Sequence, residues 1–157
     1  MSLKTGFTFT NVEANDSNVT VYNIEPADYA QLKDEPNMYK MSNTTAGVDT
    51  PEIITYQCGK LTKVPLSEEM KSNFPSPSIG GIQYGVKVEE LLRVQREDDT
   101  VVHDLPVSVC ITFKHARTAS ITESDLMQVL GRALGALFKA DGSNRLADMM
   151  RFCIKPR

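Results

Sequence analysis

The sequence predicts an α+β fold: an N-terminal β-hairpin, an antiparallel sheet of about five strands, and two C-terminal α-helices. Three observations carry that reading. Residues 82–96 and 107–115 alternate apolar and polar side chains with period two, the signature of strands with one buried face. From residue 120 the apolar positions move to helical spacing. Strand signals come first and helix signals last, so the elements are segregated along the chain instead of alternating.

At the N-terminus, "TGFTFTN" and "SNVTVYNI" are short alternating runs on either side of the polar "VEANDS", a β-hairpin over 1–25. Residues 26–50 are mostly loop signal, with a short strand at 38–42. "EIITYQCGKLTKV" is a strand, and Gly59 inside it suggests a bulge. With a bulge there, Thr55 and Gln57 share a face with Lys60 and Thr62, and Ile54, Tyr56, Cys58 and Leu61 take the other. The Pro-, Ser- and Gly-rich stretch over 65–81 is a long surface loop within a sheet that spans 38–116.

In the strand over 82–96, Ile82, Tyr84, Val86, Val88, Glu90, Leu92 and Val94 form one face. Gln83, Gly85, Lys87, Glu89, Leu91, Arg93 and Gln95 form the other. A loop over 96–106 follows. The last strand repeats the division, with Val107, Val109, Ile111 and Phe113 opposite Ser108, Cys110, Thr112 and Lys114. An antiparallel sheet of this kind keeps one face wet and must bury the other.

The helix pair over 120–154 is the natural cover. Ser120 and Glu123 match an S-x-x-E capping box. Leu126, Leu130, Ala133, Leu134, Leu137 and Phe138 follow at helical spacing, and Asp141-Gly142 stops the helix. Ser143 can cap a second helix with a stripe of Leu146, Met149, Met150 and Cys153. Gly131 and Gly135, four apart, each cost about 1 kcal/mol against alanine in a helix interior. They suggest a second backbone close by, or are simply tolerated.

The 157 residues suit a single domain, 1–157, with a core of its own. No apolar run is long enough for a membrane span, and the N-terminus lacks the apolar stretch of a signal peptide. Three widely spaced cysteines, Cys58, Cys110 and Cys153, without a CxxC or His/Cys cluster, fit reduced thiols and no metal site. The formal net charge of −3 is unevenly spread. Residues 1–50 set Lys4, Lys33 and Lys40 against seven acids, whereas residues 126–157 set six bases against Asp141 and Asp148. That asymmetry fits charge-dependent contacts, or a solvated basic helix face.

Catalytic signals are poor. His103 and Asp104 are neighbours without a nucleophile motif, and there is no P-loop or G-x-G-x-x-G. Glu89 and Glu90 point to opposite faces of one strand. The expectation is a protein that is not an enzyme and needs no cofactor. The polar sheet face is more informative. Lys87, Arg93, Thr112 and Lys114, joined by Thr55, Gln57, Lys60 and Thr62, offer the hydroxyls, amides and cations that suit phosphate and base contacts. An ordinary solvated sheet face is the competing reading.

From Tyr84 onward the chain resembles the coat proteins of the small single-stranded RNA bacteriophages, the leviviruses. The matching order is "YGVKVEELLRV", a polar hairpin loop, "VSVCITFKH", the capped helix "TESDLMQVLGRALGAL" and a short final helix. The resemblance implies an obligate homodimer with one continuous sheet and interlocked helices. Leu126, Leu130, Gly131, Leu134, Gly135, Leu137, Phe138, Leu146, Met149 and Met150 would form its interface. It further implies an icosahedral shell around a single-stranded RNA genome, no membrane partner, and binding of an RNA hairpin as translational repressor. Lys87 sits where the family places a sheet lysine near RNA; the last strand here has no base-stacking aromatic on that face. A small intracellular dimeric α+β binding domain that forms no shell is the alternative.

Overall fold

In a computed structural model of the chain, residues 22–48, 50–73, 79–138, 143 and 145–152 are described. The hairpin expected over 1–25 lies outside them except for 22–25, as do Asp141, Gly142 and Cys153. Two compact units divide the chain: a sheet unit, Asn23–Arg117, and a unit containing the helical segment from Thr118 onward.

The sheet unit begins with a 3-10 turn at Pro26–Asp28 and continues through β1 (Tyr29–Glu35), β2 (Met38–Asn43), β3 (Glu52–Leu61), β4 (Gly81–Gln95) and β5 (Val101–Ala116). The five form one antiparallel sheet in the order β1-β2-β3-β4-β5. β1 was not evident in the sequence. "YAQLKDE" has one leucine and three charged residues, yet Pro36 and Asn37 turn the chain back so that it pairs with β2 from Tyr29↔Asn43 to Glu35↔Met38. Polar, charged residues are acceptable there because β1 is an edge strand.

The ladder corrects two sequence expectations. Gly59 is not a bulge: β3 pairs with β4 without a break from Glu52↔Glu90 to Leu61↔Gly81, with Gly59 opposite Gln83. Strict alternation therefore puts Lys60 on the face of Ile54, Tyr56 and Cys58, and Thr62 lies past the end of β3. The glycine adds no extra residue to β3, and a Cβ there would meet Gln83 only at an ordinary 3.7 Å. The second correction concerns the loop over 96–106. Residues 101–106 belong to β5, through Val94↔His103, Arg93↔Asp104 and Leu91↔Pro106. What remains is a tight turn in which the Asp99 amide donates to the Arg96 carbonyl at 3.0 Å and Asp99 takes a φ of 61°, a type I turn followed by a left-handed residue. Pro106 disguised the strand, but proline is tolerated on an edge strand, which does not need every donor.

In the long connection over 65–81, Ser67 caps a single helical turn, α1 (Glu68–Lys71). The main helix, α2 (Glu123–Gly135), starts two residues later than Ser120 would have it. Thr122 is its cap, accepting from the Asp125 amide at 3.3 Å while the Asp125 carboxylate accepts from the Thr122 amide at 2.9 Å. The reciprocal box is real, built from Thr and Asp in place of Ser and Glu. α2 closes early: Leu137 and Phe138 donate to carbonyls three residues back, a 3-10 type tightening just beyond Gly135. α3 spans Leu146–Phe152. No helix among the described residues is long and apolar enough to cross a membrane.

The two faces of the sheet follow the period-two reading. Tyr84↔Phe113, Val86↔Ile111 and Val88↔Val109 place the apolar sets of β4 and β5 together. Ile54 and Met41 are buried on that face, and Ile54 alone contributes about 1.5–3 kcal/mol. Towards β5 the face opens: Leu92 is 58% exposed and Val109 62%.

Candidate nucleic-acid interface

Alternation puts the polar side chains of β2 to β5 on one face. One cross-strand row runs Lys33, Lys40, Thr55, Lys87, Cys110; the next runs Met38, Gln57, Gly85, Thr112; a third runs Gly59, Gln83, Lys114. Arg93 lies further along β4, opposite Asp104. Of the sequence-derived set, Thr55, Gln57, Lys87, Arg93, Thr112 and Lys114 share this face. Lys60 and Thr62 leave it, for the reason given above. Thr55 is only 3% exposed, covered between its cationic neighbours, so it does not present a side chain to a ligand. Lys33, Lys40 and Gln83 complete the face. The first two could have been assigned to it only by recognising β1 and the register of β2.

The charges on this face are largely paired. Lys87 donates to Glu89 at 2.7 Å, Arg93 binds Asp104 at 2.8 Å, and Lys33 meets Glu35 at 3.0 Å. The Lys87 ammonium holds the Glu89 carboxyl below its ordinary range, with a smaller contribution from the field of Lys40. Arg93 does the same for Asp104. Between these pairs lies a hollow of about 140 Å³ lined by Gln57, Gln83, Gly85, Cys110 and Thr112, among others. Gly85 makes its floor: a Cβ there would stand 2.1 Å from the Ile111 carbonyl oxygen, so only glycine lets β5 approach so closely.

The opposite face carries aromatic pairs across neighbouring strands. Tyr39 and Tyr56 have ring centroids 6.4 Å apart, and Tyr84 stacks on Phe113 at 5.8 Å. With Pro36, Val86 and others they line an apolar hollow of about 450 Å³. At its margin the Tyr84 hydroxyl meets His115 Nε2 at 2.9 Å, and His115 Nδ1 meets the Ala116 carbonyl at 2.8 Å. A carbonyl only accepts, so Nδ1 carries a proton. His103 and Asp104 are successive strand residues and point to opposite faces. Among the cysteines described, Cys58 and Cys110 are free, exposed thiols.

In the helical unit, Leu134, Leu146, Met149 and Met150 are exposed, Met150 by 82%; Leu126, Leu130, Leu137 and Phe138 are half-buried. A Cβ on Gly131 or Gly135 would meet nothing within 4 Å.

No family model matches the sequence, and no curated protein matches it. Solved structures do. A virus-like particle of bacteriophage AVE015 matches at a TM-score of 0.73 with 23% identity, over 96% of this chain and 97% of the other. A virus-like particle of bacteriophage GQ-112 matches at 0.65 with 14% identity, over 93% and 94%. Over nearly its whole length, the chain has the fold of the subunits of these two bacteriophage virus-like particles.

Proposed function

We propose that the protein is a bacteriophage coat protein of the levivirus type, which forms an obligate dimer and assembles into a closed shell around single-stranded RNA. The observation that carries this reading is the near full-length fold shared with two particle subunits. The two sheet edges support the dimer. β1 is seven residues long, interrupted at Gln31/Lys33 and charged at its end, all devices that discourage pairing. β5 is sixteen residues long, with Val107, Val109 and Ile111 exposed on the apolar face beside it. Pro106 removes one backbone donor from that edge, which leaves 107–116 as an unbroken run for a second copy of β5. Edge-to-edge pairing there would extend the sheet across two subunits, and helices of the dimer would cover the open apolar face.

On this reading the exposed leucines and methionines of α2 and α3 are dimer contacts, and the open space around Gly131 and Gly135 admits a partner backbone. The polar face holds the RNA, mainly through phosphate contacts, and the turn at the tip of the β4–β5 hairpin meets neighbouring dimers. A repressor role through an RNA hairpin belongs to the same face. The test is to purify the protein and examine it by size-exclusion chromatography and electron microscopy. Uniform particles whose absorbance shows nucleic acid, digestible as RNA, are expected. A monomer, or a dimer that forms no particle and holds no RNA, would overturn the reading in favour of a small binding domain.

A further inference from the structure

We infer that Lys40 and Lys114, not Lys87 and Arg93, are the principal phosphate anchors of the polar face, so that a single RNA strand runs diagonally across the sheet from β2 to β5. The inference rests on the RNA-binding reading above. Eight charged side chains alternate onto this face within the ladder: Lys33, Glu35, Lys40, Lys87, Glu89, Arg93, Asp104 and Lys114. Six of them form three ion pairs, Lys33 with Glu35, Lys87 with Glu89 and Arg93 with Asp104. Among the described residues, Lys40 and Lys114 are the cations of this face outside any such pair.

A cation already bonded to a carboxylate binds phosphate weakly. Either the carboxylate must be left unpaired, or the phosphate must approach an anion. An ammonium not bonded to a carboxylate keeps more of the contact and releases a condensed counter-ion from the RNA; Lys40 feels Glu89 only through its field, with no bond between them. The register sets the path between the two. Lys40 is opposite Thr55 on β3, Gln57 is the next residue on that face, Gly85 faces Gln57 from β4, and Lys114 follows two residues after Thr112, the partner of Gly85. The straight line from Lys40 to Lys114 therefore crosses the hollow floored by Gly85. Its rim carries the Gln57 and Gln83 amides and the Thr112 hydroxyl, groups that satisfy the polar edges of the nucleotides lying between the two anchored phosphates. Thr55, being buried, serves as packing beneath Lys40 and Lys87 and not as a contact.

The test compares two double variants that differ in what they do to charge. Lys40→Gln with Lys114→Gln removes the two unpaired cations. Lys87→Gln with Glu89→Gln removes an ion pair and leaves the net charge unchanged. Each is measured for nuclease-protected RNA per particle, and for binding of a single-stranded oligouridylate to unassembled protein as a function of salt. Removing two phosphate contacts should lower the slope of log affinity against log salt by about 1.4 for a single strand, and the RNA content with it. The ion-pair variant should change the slope by clearly less. Lys40→Arg with Lys114→Arg should restore both readouts, which separates lost contacts from a damaged fold. An unchanged slope in the Lys40 and Lys114 variant, or an equal or larger loss in the ion-pair variant, would overturn the inference and leave RNA packaging intact. Wild-type protein without salt-dependent RNA binding would instead overturn the function proposed above.

Discussion

An alanine at Gly85 would put a methyl group 2.1 Å from the Ile111 carbonyl oxygen, whereas one at Gly59 would meet Gln83 at 3.7 Å, an ordinary contact. The two glycines lie in adjacent cross-strand rows on the same face, so they make a matched pair of tests. Gly85→Ala should lower stability by about 1–3 kcal/mol, because β4 and β5 must separate to admit the methyl. Gly59→Ala should raise it by about 0.4–1 kcal/mol, by restricting the unfolded chain at a site that tolerates the side chain. Urea unfolding of the two variants against wild type checks both signs. The α2 cap gives another single-residue case. Thr122→Ala should cost about 1 kcal/mol. The backbone amide of Thr122, and then its hydroxyl, hold the Asp125 carboxyl below its ordinary value of 3.8. A carboxyl lowered in the folded state stabilises fully above that ordinary value and loses its contribution as pH falls through the lower, folded-state one. Thermal unfolding followed downward from about pH 5 should therefore fall less steeply in Asp125→Asn than in wild type.

At the scale of elements, the proposed dimer rests on the two edges of the sheet. Val107 and Val109 are more than half exposed, so replacing both with lysine should shift the stability of the single chain by no more than about 0.5 kcal/mol each. In a dimer they would lose burial worth about 1.5–3 kcal/mol each. Analytical ultracentrifugation should find the wild type dimeric and the double variant monomeric. Persistent dimers would place the interface away from β5. The β4–β5 turn makes a contrasting case. Exchanging Glu97, Asp98 and Asp99 for Gly and Ser residues, with glycine at 99 to suit its φ of 61°, should leave dimers folded while changing particle yield or shape. Loss of the dimer in that variant would contradict an assembly role for the turn.

At the scale of the whole molecule, the described residues leave much apolar surface open, which the proposed dimer would bury. Among the described residues Ile54 and Met41 are the buried large hydrophobics, while Tyr56, Leu92, Val109, Met127 and Met150 stand open. In the proposed obligate dimer, stability is gained together with the oligomeric state, so unfolding should depend on protein concentration. In the proposed interlocked dimer the helical segment covers a sheet face, so removing residues 120–157 should give insoluble protein. A soluble, folded monomer from that truncation would refute the interlocked dimer.

Period two alone placed Lys87, Arg93, Thr112 and Lys114 on one face and Tyr84, Val86, Ile111 and Phe113 on the other, and the ladder agrees for β4 and β5. Helical spacing from Leu126 onward placed α2 with an error of two residues at its cap. These features are local: alternation and apolar spacing are written into consecutive residues. What the sequence did not contain was anything fixed by a partner strand. β1 is a strand because β2 lies beside it, not because "YAQLKDE" prefers to be one. Gly59 stays in register because β4 holds it there, which sends Lys60 to the far face. Pro106 and the charges beside it read as loop until the edge position of β5 makes them acceptable. The availability of each cation was likewise undecided, since Lys87 and Arg93 are occupied by carboxylates and Lys40 is not, and pairing of that kind depends on which side chains the tertiary structure brings within reach of one another.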